Sequence, residues 1–292
     1  MKAQTETIDN QPFEHLQIDT ESGRRICARA FAAKDATSVV IIAGAMGVGQ
    51  QCYEKFARYL RGQGMTAITF DYFGIGASLH APLAECDTNL TQWGREDCDA
   101  VIRQVREQYP TLPTHWVGHS VGGQLLGMVP RVNQLDRIVT VASGSGYWRR
   151  NSPPTKRIAW LLWYALAPLS VGLLGYFPGA RLNIVGDLPG GVMRQWRRWC
   201  LHPDYVVGAE GDAVRAQFSE VRVPITSVAF TDDEMMSRHN VDSLHSFYHN
   251  APVTMMRLTP ADLGEQAIGH LGWFRERYRE SVWRGVLLPL LS

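Results

Sequence analysis

The sequence has almost no net charge and no paired cysteine motif. Lys and Arg number 29 against 28 Asp and Glu, which leaves a formal net charge of +1. This balance gives no reason to expect a nucleic acid as partner, because proteins that bind phosphate backbones usually carry a basic surplus. The five cysteines are odd in number and form no CxxC pair: Cys27, Cys52, Cys86, Cys98 and Cys200. They indicate neither a disulfide framework nor a zinc site, and we expect no metal and no cofactor.

The N-terminus lacks the unbroken apolar run of a secretory signal, so we expect a cytoplasmic location. One uncharged stretch, residues 158–177, is long enough to span a bilayer. Spanning would place the chain before it and after it on opposite sides of the membrane, whereas the catalytic candidates described below come from both parts. We therefore expect no transmembrane span. Pro168, Gly172 and Gly175 also interrupt the run, which suits a cap over an active site.

Short apolar runs alternate with longer amphipathic stretches along most of the chain. The runs 16–19 and 25–30 flank a turn signal and predict a hairpin. Later runs rich in β-branched residues are typical of buried parallel strands, and they cover 38–42, 65–70, 115–117, 137–141, 225–230 and 253–258. The stretches between them have the spacing of amphipathic helices. The sequence therefore predicts an α/β fold whose mostly parallel sheet is covered by helices on both faces.

A long segment interrupts this alternation between Gly144 and Val221, and it exceeds the length of a simple connection. We expect a core formed by residues 1–143 and 222–292, with a cap inserted at 144–221. The inserted segment is aromatic-rich and contains five of the nine tryptophans. Residues 149–198 include eight basic residues but one acid, Asp187.

One hypothesis is that the aromatic face of this cap lines a pocket for an apolar acyl group, with Trp148, Trp160 and Trp163 as lining residues. The basic rim would then attract an anionic head group or make transient contact with a membrane surface. The alternative is a solvated basic surface over an ordinary hydrophobic cap core.

A nucleophile motif lies between an apolar run and a helix-like stretch at 124–129. It reads Gly118-His119-Ser120-Val121-Gly122, a GxSxG pattern. At a strand-to-helix junction this pattern makes a turn so sharp that only glycines tolerate the crowding beside the serine. The alternative is an ordinary glycine-rich helix start. We favour Ser120 as a nucleophile.

A serine hydroxyl needs a base within hydrogen-bond reach and an acid that orients the base. His270 is the candidate base because it alone among the histidines follows the last apolar run. Asp232, Asp233 and Glu234 follow the run at 225–230 and compete as the acid. We favour Asp233, since a loop leaving a strand takes a few residues to turn its acid toward the histidine. The other two would be solvated loop residues or helix N-caps.

Acyl transfer also requires backbone N–H groups aimed at the developing oxyanion. Val121 follows the nucleophile and should supply one of them. The other should come from the small-residue loop at 43–47, where Ala45 is the first choice and Met46 the second. A phosphate-binding loop is the alternative here, but no GxxxxGK[ST] pattern supports it.

These motifs together resemble the α/β-hydrolase superfamily, in particular its serine aminopeptidase and monoglyceride-lipase-like branch. The resemblance rests on residues 118–122, on 70–78, which are similar to the branch's D-x-R-G-x-G-x-S segment, on 231–233 and on Gly269-His270. It implies Ser120, Asp233 and His270 as the catalytic triad. Two departures are that Ala43-Gly44 stands where His-Gly is usual, and that Phe73 stands in place of the arginine.

The sequence therefore predicts a serine hydrolase that cleaves small-molecule carboxylic esters or thioesters through an acyl-Ser120 intermediate. An acyltransferase would use the same triad. A hydrolase fold retained for ligand binding is the non-enzyme alternative.

Overall fold

An eight-stranded sheet forms the centre of the structure, a computed structural model that describes residues 11–292. The strands of the chain are β1 (Glu14–Asp19), β2 (Arg25–Phe31), β3 (Ser38–Ala43), β4 (Met65–Phe70), β5 (Thr114–His119), β6 (Arg137–Val141), β7 (Tyr176–Phe177), β8 (Leu188–Pro189), β9 (Ile225–Phe230) and β10 (Val253–Leu258). The large sheet has the order β1-β2-β4-β3-β5-β6-β9-β10, while β7 and β8 pair separately. Within the large sheet of the described residues, the β1–β2 and β2–β4 pairs are antiparallel and all the other pairs are parallel. The predicted α/β fold is confirmed.

Helices cover both faces of this sheet. They are α1 (Glu54–Gly62), α2 (Leu90–Gln92), α3 (Asp99–Gln108), α4 (Val121–Gln124), α5 (Pro153–Leu161), α6 (Ala167–Leu174), α7 (Gly190–Leu201), α8 (Tyr205–Ala209), α9 (Asp212–Ser219), α10 (Arg238–His245) and α11 (Leu288–Leu291). Every residue of β3, β4 and β5 is buried. Apolar residues therefore dominate β3 and β4, because both of their faces contact helices and neither contacts water, while β5 also buries Thr114, His115 and His119.

The helix predicted over 124–129 is wrong in its extent. Helix α4 ends at Gln124, and a 3-10 turn follows at Leu126–Met128. Glycine is a poor helix former, and Gly122 and Gly123 make up half of this short helix. The ring of Phe218, on α9, occupies the space that a side chain at Gly127 would need.

The elements between β6 and β9 include a long helix whose first turn lies against the loop that follows the carboxyl end of β9. It runs continuously from Pro153 to Leu174, through α5, a π-helical segment at Leu162–Leu166 and α6, and we call it the cap helix. It ends at Gly175, whose φ of 77° is the left-handed conformation typical of helix C-termini. Helix α9 also lies between β6 and β9 in the chain, but it packs on the core. Its Phe218 ring contacts the rings of Phe247 and Tyr248.

Candidate active site

A strained turn places Ser120 at the carboxyl end of β5. Its φ of 51° and ψ of −111° lie outside the regions that side chains favour. A Cβ added to Gly118 would lie 2.5 Å from the Gly122 carbonyl oxygen, and one added to Gly122 would lie 2.3 Å from the Ala43 carbonyl oxygen. Both glycines are therefore required by close backbone approach. The turn directs the serine hydroxyl away from the sheet.

Three side chains from different loops meet at this turn. The Ser120 hydroxyl lies 3.0 Å from Nε2 of His270, and Nδ1 of His270 lies 2.8 Å from Oδ2 of Asp233. The other carboxylate oxygen of Asp233 accepts hydrogen bonds from the backbone amides of Met235 and Met236, each at 2.8 Å. With Oδ2 accepting, Nδ1 carries the hydrogen and Nε2 presents its lone pair to the serine. This arrangement can remove a proton from the hydroxyl.

The two neighbouring acids hold the loop that carries His270. Oδ2 of Asp232 accepts the backbone N–H groups of Ile268 and Gly269 at 2.7 and 3.0 Å. Oε2 of Glu234 accepts the backbone N–H of His270 at 2.9 Å. Both acids lie in the loop after β9, as expected, and Glu234 is exposed, but neither is a helix N-cap, because Ser237 caps α10. Sequence reasoning missed their role in holding the His270 loop, and the run of three acids after one strand was its only signal.

The oxyanion donors differ from the first choice made from sequence. The Ala45 amide donates to the Tyr53 hydroxyl at 2.8 Å, so it is already used within the fold and the preference for Ala45 is wrong. Ala45, Met46 and Val121 all line the cavity beside Ser120, so the bond to Tyr53 is what distinguishes the Ala45 amide from the Met46 amide. Met46 is thus the remaining candidate from the 43–47 loop, together with the Val121 amide at the start of α4.

A buried chain of hydrogen bonds connects the two sides of the site behind the serine. Nε2 of His119 lies 2.9 Å from the His270 carbonyl oxygen, which can only accept, so Nε2 carries the hydrogen. Nδ1 of His119 therefore accepts from the Tyr53 hydroxyl at 2.7 Å. Burial lowers the pKa of His119 well below its usual range and raises that of Tyr53, so both side chains are neutral. The chain from Ala45 to His270 fixes the oxyanion loop relative to the base.

A small apolar cavity opens onto the Ser120 hydroxyl. Its volume is about 50 Å³, and its remaining lining is mostly hydrophobic: Val48, Gln124, Ile184, Val185, Trp196, Met235, Met236 and Leu271. Trp148, Trp160 and Trp163, the tryptophans chosen from sequence, do not line it. Trp160 is 55% exposed, Trp148 packs beside Tyr164, and Trp163 packs edge-on against Trp196 at 5.0 Å. The pocket assignment to those three residues is therefore wrong, because α7 lies between the cap helix and the serine.

The first turn of the cap helix and the residue before it, Ser152, are bonded directly to the loop of the triad acid. Ser152 donates a hydrogen bond to the carbonyl oxygen of Asp233 at 2.8 Å, and Thr155 donates to that of Glu234 at 2.6 Å.

Among residues 11–292, no group of three or more His, Cys, Asp or Glu side chains is arranged to hold a metal ion.

Comparisons with known proteins agree with this architecture. A family model described as serine aminopeptidase, S33, matches residues 34–181. A carboxyl esterase from Bacillus coagulans, solved in complex with glycerol, is 13% identical, with 97% of this chain and 99% of that chain covered and a TM-score of 0.63. An esterase from Pyrococcus furiosus is 13% identical, covering 98% and 94%, with a TM-score of 0.61. A thioesterase domain from the curacin biosynthetic pathway is 14% identical, covering 97% and 100%, with a TM-score of 0.56.

At these identities the structural likeness shows the fold, while the family match covers half of the chain and includes Ser120. No curated protein sequence matches the chain. The resemblance found from the sequence motifs is confirmed: the chain belongs to the serine aminopeptidase S33 family of α/β-hydrolases and is a serine hydrolase.

Proposed function

We propose that this hydrolase cleaves carboxylic esters or thioesters that carry an apolar acyl group, through an acyl-Ser120 intermediate. The observation that carries the proposal is the continuous hydrogen-bonded chain from Asp233 through His270 to the Ser120 hydroxyl, which ends in an apolar cavity. The similar esterases and the thioesterase domain share this fold and support the same class of substrate.

In the acylation step, Nε2 of His270 takes the hydroxyl proton as Oγ of Ser120 attacks the acyl carbonyl carbon. The negative charge that develops on the carbonyl oxygen is stabilised by the amides of Val121 and Met46. His270 then gives its proton to the departing alkoxide or thiolate, and the acyl group stays on the serine. Water repeats the sequence in deacylation, and Asp233 stabilises the imidazolium in both steps.

The cavity lining favours an ester over a peptide with a free N-terminus. None of the described residues that line it carries a carboxylate, so an ammonium group would be buried there without an anionic partner. Its volume of about 50 Å³ is far below the ~300 to 1,000 Å³ of pockets for drug-sized ligands. Short acyl groups fit the cavity as it stands, and longer ones require the cap to move.

A fluorophosphonate probe followed by mass spectrometry tests the nucleophile. The probe should label the wild-type protein on Ser120 and should not label Ser120→Ala, whose melting temperature should stay unchanged. Labelling of neither protein would contradict the proposal and favour a ligand-binding role. A series of p-nitrophenyl esters of increasing chain length would then define the acyl group. The same assay with an alcohol as competing acceptor distinguishes hydrolysis from acyl transfer by its product.

A further inference from the structure

The cap helix, Pro153–Leu174, exposes an apolar surface that the rest of the fold does not cover. The helix has 22 residues, its most apolar 18-residue window has a mean hydropathy of 1.5, and only 22% of that window is buried. The buried positions are Ala159, Trp163, Ala167 and Val171, spaced four residues apart. The helix therefore packs against the rest of the protein through one narrow stripe of side chains. A water-facing helix normally has a polar outer face, and this one does not.

The outer face holds most of the exposed large hydrophobic side chains of the protein. Of the eleven such residues in the described part of the chain, seven lie on this helix: Ile158, Trp160, Leu161, Tyr164, Leu169, Leu173 and Leu174. Leu173 is 82% exposed, the largest fraction among them. Contiguous apolar surface of this kind marks a site that contacts a partner or a lipid surface.

Basic side chains border this face. Lys156 and Arg157 are exposed on the helix itself. The Arg197 guanidinium lies 5.9 Å from the Tyr164 ring centre. Arg194, Arg197 and Arg198 also line a groove of about 530 Å³ between the cap helix and α7, whose floor is apolar. No acidic residue occurs between positions 149 and 186.

We propose that the cap helix lies on the surface of a bilayer that contains anionic lipid. Its apolar face would enter the acyl boundary while the bordering cations contact the lipid phosphates, which is the chemistry of interfacial helices. A second copy of the chain is a poorer occupant, because a two-fold contact would bring the same cations together. The helix would lie on the membrane and not cross it. Ser120 precedes the helix in the chain and Asp233 follows it, yet both contact His270, so the two parts of the chain must be on the same side of a membrane.

Vesicle flotation of the full chain tests this proposal. Wild-type protein should float with vesicles of phosphatidylcholine and phosphatidylglycerol in equal parts, and less with phosphatidylcholine alone. The double variant Leu169→Asp/Leu173→Asp should lose about tenfold or more of this binding, because two apolar side chains no longer enter the lipid. Met255→Asp is the matched control, since Met255 is 43% exposed on β10 at the far edge of the sheet. It should bind as the wild type does.

A second variant, Lys156→Glu/Arg157→Glu, tests the charge contribution and keeps the experiment decisive if the leucine variant does not fold. It should bind anionic vesicles severalfold more weakly, and high salt should weaken wild-type binding. The proposal is overturned if wild-type protein does not float, if the leucine variant binds like Met255→Asp, or if the wild type is a dimer that the leucine variant separates. Ser120→Ala should float like the wild type, so the result is independent of the proposed catalysis.

Discussion

The substitution Asp233→Asn tests the triad most directly, because the backbone around Asp233 decides how an asparagine must be oriented. Two amides, of Met235 and Met236, donate to Oδ1, so the asparagine keeps its carbonyl oxygen there. Its NH₂ group then faces Nδ1 of His270. That nitrogen must become an acceptor, which moves the imidazole hydrogen to Nε2. The serine then has no base, because Nε2 can no longer take its proton.

The same contacts set a lower limit on the size of the effect. Turning the asparagine over would break the hydrogen bonds from the half-buried Met235 amide and the buried Met236 amide, at a cost of about 2 kcal/mol or more. The productive orientation would therefore be populated about 30-fold less. In trypsin-type serine proteases the same change lowers kcat by about 10⁴, and we expect a loss of that order. Asp233 and asparagine have the same shape, so the melting temperature should change little.

Asp232→Asn is the matched control. Its amide oxygen can keep both N–H groups that Oδ2 now accepts, and its NH₂ group replaces Oδ1, a buried atom without a hydrogen-bond partner. We expect less than about a tenfold loss of kcat. Both variants would be assayed on p-nitrophenyl acetate under saturating substrate. Our reasoning fails if Asp233→Asn keeps more than about a tenth of wild-type kcat, or if Asp232→Asn is the more impaired.

Three further predictions follow from buried groups and from the cavity. Tyr53→Phe leaves the Ala45 amide and Nδ1 of His119 without their buried partner, so the free energy of unfolding in urea should fall by about 2 to 4 kcal/mol. An unchanged urea midpoint of unfolding would contradict this. Burial lowers the pKa of His245 to about 4 in the folded protein. In the unfolded chain the same histidine titrates at about 6.5, so below about pH 6.5 the unfolded state binds more protons than the folded state. Stability should therefore decrease by about 3 kcal/mol from this group as pH falls from 7.5 to 4, and His245→Gln should flatten the curve. Trp196→Ala should change the ratio of kcat/KM between short and long acyl esters, whereas Trp160→Ala should leave that ratio unchanged; equal effects would refute the lining described above.

The strands at the centre of the sheet, β3, β4 and β5, could be predicted from the sequence because they are buried on both faces. A strand such as β3 is then apolar at every position after Ser38, and such a run can be recognised without tertiary information. The positions of Ser120 and His270 could be inferred for a related reason, since the glycines around the turn and the order of strands limit the alternatives. Each of these inferences depends on local sequence or on chain order.

The inferences that failed depend on directions in space. The sequence favoured Ala45 over Met46 as the oxyanion donor, and only the structure shows that Tyr53 accepts the Ala45 amide across the loop. Trp163 and Trp196 are both buried cap tryptophans, and only the packing of the cap helix over α7 shows which one contacts the cavity. The acids beside Asp233 could not be assigned for the same reason, because their partners lie 36 or 37 residues away in the chain.

The bonds from Ser152 and Thr155 to the carbonyls of Asp233 and Glu234 couple the position of the cap helix to the position of the triad acid during turnover. Movement of the cap helix, which a long substrate needs in order to enter, would pull on the loop that orients His270. The open state would then admit substrate with a loosened acid, and the closed state would have a well-oriented acid but little room for exchange. Access and chemical competence would alternate during each cycle, so cap closure would act as the commitment step for a long-chain substrate.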